Sequence, residues 1–495
     1  MPIMDEPTSL DPQIADSNSE KLVAANCYEG LVRIMADGTI GKGVATDWNI
    51  SDDGLTYTFK LRNNSHWAMF SGHKAVLGEN YEDTFDITVK AEDFKFGIER
   101  TLSEQTGSAD APLFSAVKSI STPDDFTIVF NLSYADDNFL YALTNPGAMP
   151  CDEEFFKLTN GKYGLDAKYL LCNGPFHVSK WTEKTSVKLV KNNEYNGESS
   201  VSPSSVTFYI NNNDSEVADK MNSVTYDVAF LSSSQFSSIE NKKDLNSVAV
   251  QNVTYSFIFN QNDNNYRNKN MRLAFCRSCD TSSLFDSQSD ITKADGIVPP
   301  SCKIGGEDYR NGNAAELLSY DETLAKKNFN DALLELGSSS VETTILCTEQ
   351  YESFVKQMVQ KLQKTLGVKF VSTVKVVSES DLEAAVNDGN YSVAFYPFKA
   401  KSSFAGEIIE GFDQNNIFGY ESDVLSQKIR NIKNNSGSLE GERSAVADAE
   451  NYLVSEAVIM PVFYENSYFV TSKKTSGIYF YSSADNVCFI NAKKS

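Results

Sequence analysis

Two hydrophobic periods share this chain. In LTYTFKLR, Leu55, Tyr57, Phe59 and Leu61 fall on one side of an extended strand, and SDDG just ahead supplies a turn. TVKAEDFKFGIERTL switches to the helical period, with Phe94, Ile98 and Leu102 on one stripe. VKSISTPDDFTIVFNLS returns to strands around a Pro123-Asp124-Asp125 turn. GPFHVSKWTEKTSVKLVKNNEYN predicts a hairpin about TEKT, and SVTFYINNN a further strand. SEVADKMNSVTYDVAFL predicts a helix and then a short strand.

Beyond YSFIFNQ the pattern becomes helix-rich. NKNMRLAFCRSCD, DETLAKKNFNDALLELG, YESFVKQMVQKLQKTLG and ERSAVADAENYLVSEA have helical spacing, interleaved with strands TTILC, FVSTVKVV and YSVAFY. That alternation predicts an α/β lobe with a mixed sheet. The chain ends in strands, VIMPVFYENSYFVT and VCFINAK. It carries no internal repeat.

Composition narrows the function. At 495 residues and 41% hydrophobic content, the chain has material for two or three domains. With 44 basic and 67 acidic residues the net charge is -23, which argues against nucleic acid and against docking on an anionic bilayer. No apolar run is long enough to cross a membrane as a helix. The opening MPIMDEP shows no secretory leader and reads as a trimmed mature domain.

Candidate chemistry is sparse. The nucleophile-elbow, zinc-protease and phosphate-loop motifs are missing. His66, His73 and His177 lack visible catalytic partners and read as surface or satisfied histidines. Among the eight cysteines only Cys276 and Cys279 are close in sequence. They fit a redox pair or two core thiols, and the core reading is preferred because they lie well inside a helical stretch. Zinc would need more ligands, and Cys302 is the one candidate third. FSGHKAVLGENYEDTFDI makes a long loop near 68–88, read as a surface excursion with a partner-contacting or ligand-rimming role as the alternative.

The resemblance lies in a series of stretches. EPTSLDP with CYEGLV, DGTIGKGVATDWNISDDGLTYTFKLRNNSHW, VKAEDFKFGIER, NGPFHVSKW, VTYDVAF, FNQNDNNYRNKNMRLAFCRSCD and AVIMPVFY follow one another over most of the chain. In this order they resemble the extracytoplasmic solute-binding proteins of peptide-type ABC importers, the oligopeptide- and dipeptide-binding family. Val89 and Lys90 stand where that family usually has valine and threonine.

The resemblance implies an α/β, two-lobed periplasmic-binding-protein-like fold with an additional inserted subdomain and a hinge of two crossing strands. Residues 1–30, 172–258 and 464–495 would form lobe one, 31–171 its inserted subdomain and 259–463 lobe two. It implies a binder and not an enzyme, without cofactor or metal. Such a protein captures peptides in an inter-lobe cleft and delivers them to membrane permease subunits. A non-peptide solute, an oligosaccharide or metal chelate, is the alternative ligand, and a hydrolase a more distant one. The protein would be an extracytoplasmic monomer, attached to the membrane only through a lipid anchor outside this sequence.

By the same resemblance the ligand contacts are Asp16, Asn18, Tyr255, Glu379, Phe398, Lys401 and Glu465. Phe398 matches the aromatic residue after the YSVAFY strand. Lys401 falls where peptide binders carry the acid that pairs with the ligand's α-amino group, or Lys399 does if the register slips. A cation cannot receive an ammonium, so Asp16, Glu379 and Glu465 are the candidate replacements.

Overall fold

The computed structural model describes the chain apart from residues 36–38, 137, 198–199, 282–283, 286–289, 400–403, 414–415, 436–437 and 482–485. It divides into two compact units, Met1–Ala249 with Tyr468–Ser495, and Val250–Ser467. The crossings expected near 258 and 463 fall inside the strands Val253–Phe259 and Ile459–Glu465. Each of those strands is laddered along its length within the second unit, which carries the division outward to their ends.

In the first unit the alternating stretches form several sheets, the first of them antiparallel throughout. Ala45–Ile50, Thr56–Leu61, Thr127–Leu132 and Val117–Asp124 lie side by side in that order. Tyr57, Phe59 and Leu61 are buried, as their spacing requires, and Phe59 meets Phe130 edge to face at 5.8 Å. The turn before this strand is set by Asp53, whose Oδ1 accepts the Leu55 N–H at 3.1 Å, with Gly54 at φ 69°. The helix Ala91–Leu102 buries Phe94 and Ile98, whereas Leu102, at its last position, is exposed. A Cβ on Gly97 would stand 2.3 Å from the Met149 carbonyl oxygen, so only glycine admits this approach. A second sheet joins Pro2–Ile3, Ser205–Ile210, Ser186–Lys191 and Phe176–Thr182. A third places Ser467–Ser472 between Val228–Ser232 and Leu245–Val250.

The 68–88 stretch is more than a surface excursion. It carries short helical turns at Ser71–His73, Lys74–Leu77 and Tyr81–Thr84. His73 and Tyr81 are buried and anchor it. His73 packs edge-on to Phe155 with ring centroids 5.5 Å apart, and His177 stacks on Phe70 at 5.6 Å. Both imidazoles are therefore packed inside aromatic surroundings.

The second unit is built on six strands in the order Ile291–Lys293, Ile459–Glu465, Val253–Phe259, Val393–Lys399, Val341–Thr348 and Phe370–Val377. The first four pair antiparallel and the last strands parallel, the mixed sheet that the helix–strand alternation predicts. Its two faces carry separate cores. Phe257, Phe259, Val393 and Phe395 meet the helices Lys269–Ser278, Glu322–Leu336 and Glu352–Leu366. Ile258, Ala394 and Leu346 face Glu379–Asn387, Asp423–Asn434 and Leu439–Ser455. The helices Glu379–Asn387 and Asp423–Asn434 are additions to the elements read from sequence.

Cys276 and Cys279 both lie in the first of these cores, with Cys279 Sγ 3.6 Å from the Met358 carbonyl oxygen. Burial pushes the Cys276 thiol up to about 12 and raises Cys279 as well. Cys302 belongs to the core on the opposite face, so the three do not converge. Cys279→Val is expected to lose less than about 1.5 kcal/mol in a denaturant titration, as near-isosteric core changes do. Rapid native labelling of Cys279, or stoichiometric zinc in the purified protein, would contradict this placement.

Candidate functional site

The sheet of the second unit ends in a patch where aromatic rings surround a carboxylate. Tyr255 is the third residue of Val253–Phe259 and points to the same face as Phe257. Its ring centroid lies 4.4 Å from Tyr351, 5.2 Å from Phe463 and 5.5 Å from Phe395. Tyr351 comes from the short 3-10 turn Glu349–Tyr351 between the strand Val341–Thr348 and the helix Glu352–Leu366. The last residue of Ile459–Glu465 then brings its carboxylate to these rings.

The Tyr351 hydroxyl donates to Glu465 Oε1 at 2.6 Å, and Gln350 Nε2 donates to the same oxygen at 3.3 Å. Gln350 Nε2 also donates to the Tyr351 hydroxyl at 3.0 Å. Burial, and then the neighbouring groups that include Glu465, push both phenols well above the usual tyrosine range. Tyr255 and Tyr351 therefore remain neutral donors. Glu379, the exposed first residue of its helix, adds to the same upward shift on Tyr255.

The structure thus gathers Tyr255, Glu465 and, through its charge, Glu379 into one neighbourhood. It adds Tyr351 and Gln350, which sequence reasoning passed over. Their signal is the TEQY stretch between the strand TTILC and the helical stretch that opens at Tyr351.

Phe398 goes to the other face. It pairs with Thr254, whereas Tyr255 pairs with Pro397, and one residue of register reverses the side. Its ring stacks on Phe412 at 5.7 Å and lies 5.8 Å from Phe418. Lys401 lies outside the described residues.

Asp16 and Asn18 belong to the first unit and are both exposed. Asp16 precedes Ser17, the N-cap of the helix Asn18–Cys27. The organiser of this loop is the buried Glu20, which accepts N–H groups from Thr8 at 2.7 Å, Asp16 at 3.0 Å and Ser17 at 3.2 Å. Burial alone would raise its carboxyl, but these donors outweigh it and hold the group below its ordinary value. The LDP turn is fixed by Arg100, whose Nη2 donates to Asp11 Oδ2 at 2.6 Å while Nη1 reaches Gln13 Oε1 at 2.6 Å.

Comparison with known proteins fixes the family. The profile of the bacterial extracellular solute-binding proteins, family 5 Middle, matches residues 39–418. This chain belongs to that family. The family 5 chain is 24% identical over 496 residues to the dipeptide-binding protein DppE of Bacillus subtilis strain 168, covering 96% of this chain and 88% of the relative. It is 26% identical over 385 residues to the oligopeptide-binding protein OppA of the same strain, covering 74% of this chain and 68% of that one. Among solved structures, a dipeptide binding protein from Pseudoalteromonas sp. SM9913 in complex with Met-Leu superposes with a TM-score of 0.80 at 18% identity, covering 100% of this chain and 99% of the other. Listeria monocytogenes OppA bound to peptide gives 0.77 at 21% identity, covering 100% and 98%. These likenesses establish the fold, α/β and solute-binding-protein-like, over the full chain. A family 5 solute-binding protein is extracytoplasmic, and among the described residues no helix is long and apolar enough to cross a membrane.

Proposed function

We propose that this family 5 protein captures peptides outside the cytoplasm and delivers them to the permease subunits of an ABC importer. The observation that carries the reading is its likeness, over nearly the full length, to a chain named as a dipeptide-binding protein. The half-buried carboxylate framed by aromatic rings suits that ligand class. Tyr351 and Gln350 both bond Oε1 of Glu465, which leaves Oε2 for a ligand donor. On this reading Glu465 receives the ammonium of a peptide amino terminus or a basic side chain, Tyr255 lends it a ring face, and Glu379 adds negative potential. Glu465 thereby supplies the acid that the Lys401 position lacks. Asp16, Asn18 and Phe398 contribute from outside this cluster.

The same reading makes the chain a monomer, held at the cell surface by a lipid anchor, that releases its peptide unchanged. It also treats 31–171 as an inserted subdomain, which has the separate four-stranded sheet in its favour.

The test begins with mass spectrometry of molecules released on denaturing the purified protein, followed by titration calorimetry with the peptides found. A bound peptide should raise the melting temperature and be recovered intact, and turnover well beyond stoichiometry would sink the binder reading. Glu465→Gln is expected to weaken a peptide with a free amino terminus by about 1.5–3 kcal/mol, the scale of a hydrogen bond to a charged group. N-acetylation should cost the wild type a similar amount and the variant little. If the free and acetylated peptides bind Glu465→Gln and wild type alike, and a peptide with a basic side chain does too, Glu465 is not the contact.

A further inference from the structure

We propose that Cys27 and Cys172 become a disulfide as this extracellular chain folds, tying the end of the helix Asn18–Cys27 to the segment that leads into the strand Phe176–Thr182. The two backbones are laced together on either side of these residues. The Gly174 N–H donates to the Cys27 carbonyl oxygen at 2.9 Å. The Glu29 N–H donates to Asn173 Oδ1 at 3.0 Å, and Asn173 Nδ2 returns to the Glu29 carbonyl oxygen at 2.8 Å. A Cβ on Gly174 would stand 2.6 Å from the Cys27 carbonyl carbon, so the segments touch along their main chains.

The side chains are neighbours as well. Both cysteines are buried and both are thiols in this structure. Burial, followed by this neighbour, raises the Cys27 thiol well above its ordinary value. The stretch between the two residues holds the Ala45–Ile50 sheet and the helix Ala91–Leu102, so the bond would close a long loop. Family 5 proteins are extracellular, the setting in which disulfides persist.

The oxidant is a small-molecule or protein disulfide. One cysteine thiolate attacks it and releases a thiol, leaving a mixed disulfide. The second thiolate displaces the other half as a second thiol. The pair thus loses two electrons and two protons, and both end on the two thiols released from the oxidant. Because burial holds Cys27 protonated, the exchange belongs to the folding chain, and reduced protein that has already folded reacts slowly.

The experiment refolds the reduced, denatured chain in a buffer of glutathione and glutathione disulfide, then alkylates it in denaturant and maps its peptides. The expected result is six alkylated thiols of the eight in the sequence and one linked peptide joining Cys27 to Cys172. The oxidised form should melt roughly 5–15 °C above the reduced form, the range for closing a long loop. Cys27→Ala, refolded alike, should keep all seven remaining thiols free. Eight alkylated thiols in the wild type would overturn the proposal. So would a linked peptide between any other pair, or fewer than seven free thiols in Cys27→Ala. The wild-type map decides the question even if Cys27→Ala fails to fold.

Discussion

Glu450→Ala is expected to destabilise the second unit by about 3–5 kcal/mol, the scale for removing one partner of a buried ion pair. Glu450 is 1% exposed in the middle of the helix Leu439–Ser455. Its Oε1 accepts the N–H groups of Ile297 at 2.7 Å and Val298 at 2.9 Å. Its Oε2 accepts the Tyr309 hydroxyl at 3.0 Å and Arg310 Nη1 at 2.9 Å, and Arg310 Nη2 completes the fork. Arg310 Nε in turn donates to the Val298 carbonyl oxygen at 2.8 Å. Alanine would strand a buried guanidinium and two buried amides in one step. Glu450→Leu with Arg310→Met should cost less than Glu450→Ala alone, since no charge is left unpaired. The measurement is urea unfolding followed by far-ultraviolet circular dichroism, with hydrogen exchange at Ile297 and Val298. Tryptophan fluorescence does not serve, because Trp48, Trp67 and Trp181 all lie in the first unit. A loss under about 1 kcal/mol would mean that the loop re-pairs elsewhere.

That same fluorescence suits the second large effect, which is acid sensitivity centred on His73. Burial lowers its pKa from 6.5 to about 4, and the nearby His177 pushes the same way. A carbonyl oxygen only accepts, so the contact of His73 Nε2 with Leu170 O at 3.1 Å requires the proton on Nε2. Nδ1 is then the acceptor for the Phe70 N–H at 3.5 Å. Charging the ring puts a proton on that nitrogen among Phe70 and Phe155. The unfolded chain takes up this proton near pH 6.5, whereas the folded chain resists until about pH 4. Stability from this residue is therefore complete above pH 6.5 and lost as pH falls toward 4, by ~3 kcal/mol in all. Asp93 and Asp152, whose carboxyls burial raises, shift stability in the opposite sense. The difference between wild type and His73→Gln isolates the histidine. Tryptophan-monitored urea midpoints should fall more steeply from pH 7 to pH 4.5 in the wild type than in the variant. Parallel slopes would remove His73 as the cause.

Much of this was legible in the sequence because it is local. The strand through Tyr57 and Phe59, the helix through Phe94 and Ile98, and the hairpin about TEKT need only a short window of side-chain period and a turn. The strand order of the second unit needed long-range pairing that no window contains. The helix Asp423–Asn434 has a plain stripe of Leu425, Ile429 and Ile432, but it lies among polar residues that drew no attention. In the candidate site, Tyr255 and Glu465 were reached from the motifs beside them. Tyr351 and Gln350 were not, because only the packed sheet shows that a turn after Thr348 comes back over Tyr255. Phe398 was grouped with Tyr255 from sequence, and a single residue of register sends it to the opposite face.

The interleaving of the two units bears on synthesis. The strand Val253–Phe259 has as its neighbours Val393–Lys399 and Ile459–Glu465, both of which emerge long after it. The middle strand of the three-stranded sheet in the first unit, Ser467–Ser472, emerges more than two hundred residues after both of its neighbours, Val228–Ser232 and Leu245–Val250. A ribosome or export pore that releases this chain from its amino end therefore presents exposed strand edges until residues 459–472 have emerged. At about 5–20 residues per second that interval lasts many seconds, long enough for holding chaperones and proteases to act. A nascent chain stopped short of residue 459 lacks the neighbour on one side of Val253–Phe259 and the middle strand of the Val228–Ser232 sheet, so neither half could be completed by shortening the other.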